Sequence, residues 1–146
     1  MSEQTLTTSS IISFTEDMEN RSSRFYTELA ERFEVHRETF TRFAQECSKT
    51  FAQVKRTYQE TISDALEAGY SFQGLSLEEY VVDLTLPEGI NLPKAVEMAV
   101  DHEERAIAFY LEVAERSESL LATIPRAFAR AAKTRRRRRG RLESLL

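Results

Sequence analysis

The 146-residue chain sets 20 Lys and Arg against 24 Asp and Glu, with four Gly and three Pro, a balance that argues against a β-rich fold and favours long helices with short connections in one domain with a hydrophobic core. Its single cysteine, Cys47, excludes an internal disulfide and fits a reducing compartment. The first ten residues lack the basic and apolar halves of an export signal, and no window approaches an apolar membrane span, so a cytoplasmic, membrane-free, single domain over residues 1–146 is expected.

The first predicted helix runs from about residue 11 to 33. Phe14, Met18, Phe25, Tyr26 and Leu29 recur by threes and fours, and Thr15 or Ser13 is the expected cap. A second amphipathic run, 35–68, carries Phe40, Phe43, Ala44, Cys47, Phe51, Val54, Tyr58 and Ile62. The join between them is short, which predicts antiparallel neighbours. Residues 69–93 hold three of the four Gly and two of the three Pro, and 69–92 read as a long crossover with a helical turn near Leu77–Val82. Its apolar residues (Tyr70, Phe72, Leu75, Tyr80, Val82, Leu84, Leu86) predict packing on the bundle rather than a loose linker. A third helix, 93–118, opens on Pro93 and buries Val96, Ala99, Ala106, Phe109, Tyr110 and Val113. The fourth, 121–146, begins with Ile124, Ala127, Phe128, Ala131 and Ala132, then meets five consecutive arginines. At about 100° per residue, Arg135, Arg136, Arg137, Arg138 and Arg139 cannot all face water if the helix continues in the bundle.

Charge is segregated along the chain. Residues 121–146 carry nine basic residues against one acid, Glu143, which leaves 11 basic and 23 acidic residues before them. The basic end is therefore expected to pair with the acidic body, a second subunit or an anionic partner.

Residues 18–26 and 102–110 repeat at an offset of 84. Glu19, Arg21, Phe25 and Tyr26 match Glu103, Arg105, Phe109 and Tyr110, and the match continues through Glu28, Ala30, Glu31 and Arg32 against Glu112, Ala114, Glu115 and Arg116. An internal repeat of half the chain predicts an all-α four-helix bundle of two antiparallel hairpins, with one carboxylate from each copy near the axis.

The pattern Glu-x2-(small)-x3-Tyr, with Leu-Pro-Glu-Gly-Ile-Asn-Leu-Pro before the third helix, resembles rubrerythrin-like members of the ferritin-like superfamily across essentially the whole chain. The resemblance implies a ferritin-like bundle, a homodimer, and four Glu and two His holding a di-iron centre for oxygen or peroxide reduction. Glu19 and Glu103 match two of those ligands. In the second helix the Phe40–Ala44 frame puts Cys47 at the Glu position and Thr50 at the His position. In the fourth, Phe128–Ala132 puts Arg135 and Arg138 there. Two of six ligands remain, so the resemblance implies a degenerate metal site and no cofactor, with a structural or binding role. The alternative is a di-iron oxidoreductase or peroxidase using Glu46 and His102 after a slip in alignment.

Arg135 and Arg138, at i and i+3, are expected to turn inward and meet Glu19 and Glu103 as an ionic cluster replacing iron. Tyr26 and Tyr110 read as core residues with a bonded hydroxyl, Cys47 as a small buried hydrophobe, His102 as a solvent-facing or rim residue, and His36 as turn surface. A second alternative is that Arg135 to Arg139 bind nucleic acid or an acidic protein.

Overall fold

A computed structural model describes residues 7–61, 75–117 and 123–146. All regular structure among them is helical. Helix α1 spans Thr8–Arg32; Thr7 caps it, its side chain accepting from the Ser10 N–H. The start thus lies before the expected cap at Thr15 or Ser13, and the Thr15 hydroxyl instead donates to the Ile11 carbonyl. Ile11, Met18, Phe25, Tyr26 and Leu29 form the buried stripe, with Glu19 and Ser22 among them. A 3-10 turn, Glu34–His36, leads into α2, Arg37–Thr61. The rest of the predicted second helix, 62–68, and the crossover positions 69–74, including Tyr70 and Phe72, lie outside the described residues.

The crossover enters view at Leu75, forms a 3-10 turn at Leu77–Tyr80, and stays on the helices. Leu75 joins the apolar cluster around Phe109, and Leu86 joins the one around Phe25. Arginines hold its carbonyls: Arg21 donates to Val82 at 2.8 Å, Arg32 to Pro87 at 2.9 Å and Arg105 to Glu79 at 2.6 Å. A tight turn closes it, the Ile90 N–H reaching the Pro87 carbonyl with Gly89 at φ 76°. Glycine is required there by the left-handed backbone, since space for a side chain is open.

Helix α3, Leu92–Arg116, starts with Pro93 in its first turn and an Asn91 cap. Helix α4, Thr123–Glu143, follows. Residue pairs give the directions. Phe14 meets Phe109 and Ser22 meets His102, so α1 and α3 run antiparallel. Tyr110 meets Phe128 and Glu103 meets Arg135, so α3 and α4 do too.

The apolar core is split. One half gathers Ile11, Met18, Phe109, Tyr110, Ile124 and Phe128, and the other gathers Phe25, Tyr26, Phe40, Phe43, Val96 and Leu142. Between them lies a layer of buried polar side chains: Glu19, Ser22, His102, Glu103, Arg135 and Arg138. Hydrophobic burial supplies most of the drive to fold, so a charged layer through the middle needs its own explanation.

Candidate functional site

Arg135 organises the layer from α4. It is 1% exposed, yet its guanidinium has an oxygen partner on each side. Nη1 donates to both Glu103 oxygens at 2.9 and 3.0 Å, Nε donates to Glu19 Oε2 at 3.2 Å, and Nη2 donates to Ser22 Oγ at 3.0 Å. Nη2 also stands 2.8 Å from Glu19 Oε1, an ion-pair contact without hydrogen-bond geometry. One planar fork thereby joins the carboxylates of α1 and α3, which a lysine's point charge would not do.

Arg138, one turn further on α4, reaches Glu103 at 3.3–3.4 Å and Glu46 at 3.3–3.4 Å. Its guanidinium carbon lies 5.6 Å from the Tyr26 ring centre and 5.7 Å from that of Phe43, so aromatic faces contribute to holding the cation. Arg138 thus meets Glu103 of the expected cluster and adds Glu46, which the expected cluster did not include. Glu46 sits one residue off the inward frame of α2 and bends in from the surface, 31% exposed.

The tyrosines close the layer crosswise. Tyr26 donates to Glu103 at 2.5 Å, and Tyr110 donates to Glu19. Each phenol thus serves the carboxylate lying 77 or 91 residues away, and the two pairs are related by the same offset of 84 that aligns the sequence segments. Burial first, then the neighbouring carboxylate, holds both phenols well above their ordinary pKa of 10. Burial pushes the Glu103 carboxyl up, but Arg135 and then Arg138 outweigh it, leaving a pKa of about 2. For Arg135 the same carboxylates outweigh burial and keep the guanidinium charged.

His102 corrects the sequence reading. It is 1% exposed, with Nε2 at 2.6 Å from Ser22 Oγ, and no rim residue. Ser22 Oγ also lies 2.8 Å from the Met18 carbonyl and accepts from Arg135. With one proton to give, Ser22 satisfies all three contacts only by donating to Met18 and accepting from the imidazole Nε2–H. Burial, then the charge of Arg135, depresses the His102 pKa to about 3. Its Nδ1 has no hydrogen-bond partner among the described residues. His36 is half-buried at the turn, its ring edge-on to Phe40.

A di-iron centre, implied by the resemblance, needs anionic oxygen and imidazole donors converging on the metals. This donor set does not fit one. Both oxygens of Glu103 and those of Glu19 already face guanidinium groups, two internal cations repel a dication, and the imidazole Nε2 is engaged by Ser22. Cys47 stands buried where a carboxylate is required, and burial pushes its thiol up to about 12. Thr50 is buried at the other position and supplies only a hydroxyl. Glu46 and His102 join the layer separately, through Arg138 and Ser22, and among the described residues no group of three or more His, Cys, Asp or Glu side chains is placed to hold a metal.

Of the five consecutive arginines, Arg135 and Arg138 are buried, whereas Arg136 and Arg137 face solvent and Arg139 is half-buried, paired with Glu143 at 3.6 Å. The run is therefore not one continuous binding patch, and only its outward members can meet an anion. No helix among the described residues is long and apolar enough to cross a membrane. Comparison with family models, curated proteins and solved structures finds no match to this chain.

Proposed function

We propose that this chain is a metal-free relative of the rubrerythrin-like, ferritin-like bundles, a structural or binding module in which an internal ionic cluster takes the place of a di-iron centre. The observation that carries the reading is the bridge of Arg135 to Glu19 and Glu103 inside the core. Those two carboxylates are the ligand positions the resemblance assigns, and the guanidinium satisfies them without a cation from outside. The crosswise Tyr26–Glu103 and Tyr110–Glu19 bonds support descent from a duplicated hairpin, as does the long crossover lying against α1 and α3. No catalytic residue is assigned. By the same resemblance the module is a homodimer, and a buried free cysteine agrees with a reducing, cytoplasmic setting.

Metal content tests it. The protein, free of any histidine tag, is incubated aerobically with ferrous iron, desalted, and analysed for transition metals. Iron well below about one per chain is the expected result. About two per chain, lost on Glu19→Ala, would overturn the reading and restore the di-iron oxidoreductase alternative.

A further inference from the structure

The outer face of α4 is basic from end to end. Arg126, Arg130, Lys133, Arg137 and Arg141 follow one another at spacings of three or four residues, all exposed, with Arg136 beside them. At 1.5 Å per residue this stripe is about 22 Å long. Elsewhere most arginines are neutralised locally: Arg21, Arg32, Arg37, Arg42, Arg105 and Arg116 each face an acid three or four residues away, with Arg24 and Arg56 as exceptions among the described residues. Helix α4 has one acid, Glu143, and it is paired with Arg139. None of the stripe residues has an acidic partner among the described residues.

Such a face works against its own helix. Like charges at i, i+4 repel by a few tenths of a kcal/mol per pair, and Arg126, in the first turn, opposes the helix dipole. An external anion relieves both. The geometry points to the phosphodiester backbone of a nucleic acid, bound along α4 without reading of bases. One strand of a duplex presents a phosphate every 3.4 Å of axis, so the stripe spans about six of them. Guanidinium forks suit phosphate oxygens. Arg130 also opens onto a narrow cleft with Thr50, Gln53 and Thr57 of α2, which adds neutral polar groups beside the cations. Base readout is unsupported by the residues: α4 has no Asn or Gln, and its one aromatic, Phe128, is buried. A membrane surface fits less well, since the exposed face offers no large apolar side chain for insertion. The stripe points away from the internal cluster and does not depend on whether that cluster ever held metal.

The test is fluorescence anisotropy with a labelled 20-base-pair mixed-sequence DNA duplex and a 20-nucleotide RNA. Both should bind at 50 mM salt and weaken about 10²–10³-fold by 200 mM, as four or five phosphate contacts require. The triple variant Arg130→Gln, Lys133→Gln, Arg137→Gln should weaken binding at least about ten-fold and flatten the salt slope by about three. The triple Lys49→Gln, Arg56→Gln, Lys94→Gln changes net charge equally on α2 and α3 and should stay within about two-fold. Circular dichroism checks that both triples remain folded; all six residues are exposed. Absence of binding at 50 mM salt, equal loss from the two triples, or displacement by polyglutamate as readily as by nucleic acid would each overturn the proposal. The last would identify an acidic protein as the partner.

Discussion

Replacing Arg135 with alanine removes the one group among the described residues that bridges Glu19 and Glu103. What remains is a buried carboxylate on α1 with Tyr110 as its donor, a second on α3 shared by Tyr26 and Arg138, and a Ser22 oxygen that has lost a donor. Breaking a buried pair by removing one partner costs about 3–5 kcal/mol, because the surviving charge is left desolvated. A domain of this size has about 5–15 kcal/mol in total, so Arg135→Ala consumes a large share. In urea at pH 7, followed by circular dichroism at 222 nm with a slope of about 2 kcal/mol/M, the midpoint should fall by about 1.5–2.5 M. Arg139→Ala, from the same run of arginines, breaks only a half-exposed contact of 3.6 Å and should shift stability by less than about 0.5 kcal/mol. The cost of Arg135→Ala should also shrink when Glu103→Gln is already present, since less negative charge is then stranded. Equal small shifts for Arg135→Ala and Arg139→Ala, or strict additivity with Glu103→Gln, would refute the clamp.

Acid should weaken the fold in two steps. The folded pKa values of His102, about 3, and Glu103, about 2, both lie below their ordinary values of 6.5 and 4.5. Their contributions are present above the ordinary values and lost as pH falls, over 6.5 to 3 for His102 and 4.5 to 2 for Glu103. At 1.36 kcal/mol per unit the His102 step amounts to about 5 kcal/mol at most. His102→Leu should therefore flatten the urea midpoint between pH 6.5 and 4.5, and an unchanged slope would assign the acid lability to other groups. Tyr26→Phe and Tyr110→Phe each delete a hydrogen bond to a carboxylate and should cost about 1.5–3 kcal/mol in the same assay. In alkaline ultraviolet titration, those two of the five tyrosines should ionise only as the protein unfolds. Cys47 should resist a thiol reagent at pH 8 in the native protein and react once urea unfolds it, as its burial and pKa of about 12 require; rapid native-state reaction would contradict that environment.

The helices were legible because their apolar residues recur at threes and fours, and α4 was legible in a stronger sense. Periodicity alone requires only that some of the five arginines turn inward; the Phe128–Ala132 frame of the family resemblance singles out Arg135 and Arg138, and both are buried. His102 was not read correctly, for a physical reason. Helix α3 packs against both α1 and α4, so its buried arc is wider than a single stripe and takes in Val96, His102, Glu103 and Ile107. A signal was present: His102 stands three residues after Ala99 and four before Ala106, both core positions. Ser22 was missed similarly, although it lies between Met18 and Phe25 on the buried face of α1. The Arg138–Glu46 contact could not be read from a wheel, since Glu46 is on the shoulder of α2 and reaches Arg138 by side-chain length. The Thr7 cap was hidden in a run of Ser and Thr, where several residues can accept the same N–H.

The charged layer has a consequence for how the four helices find their alignment. Leucine-like surfaces are forgiving: an apolar helix moved along its axis by one turn, about 5.4 Å, still meets apolar neighbours. Here the same slide would carry Glu19 or Arg135 into an apolar half-core and strand an ion there. Polar residues at a few interior positions can in this way exclude shifted pairings while adding little net stability. The layer between the two half-cores therefore acts as a locating pin, selecting one vertical fit among several that hydrophobic contact alone would accept.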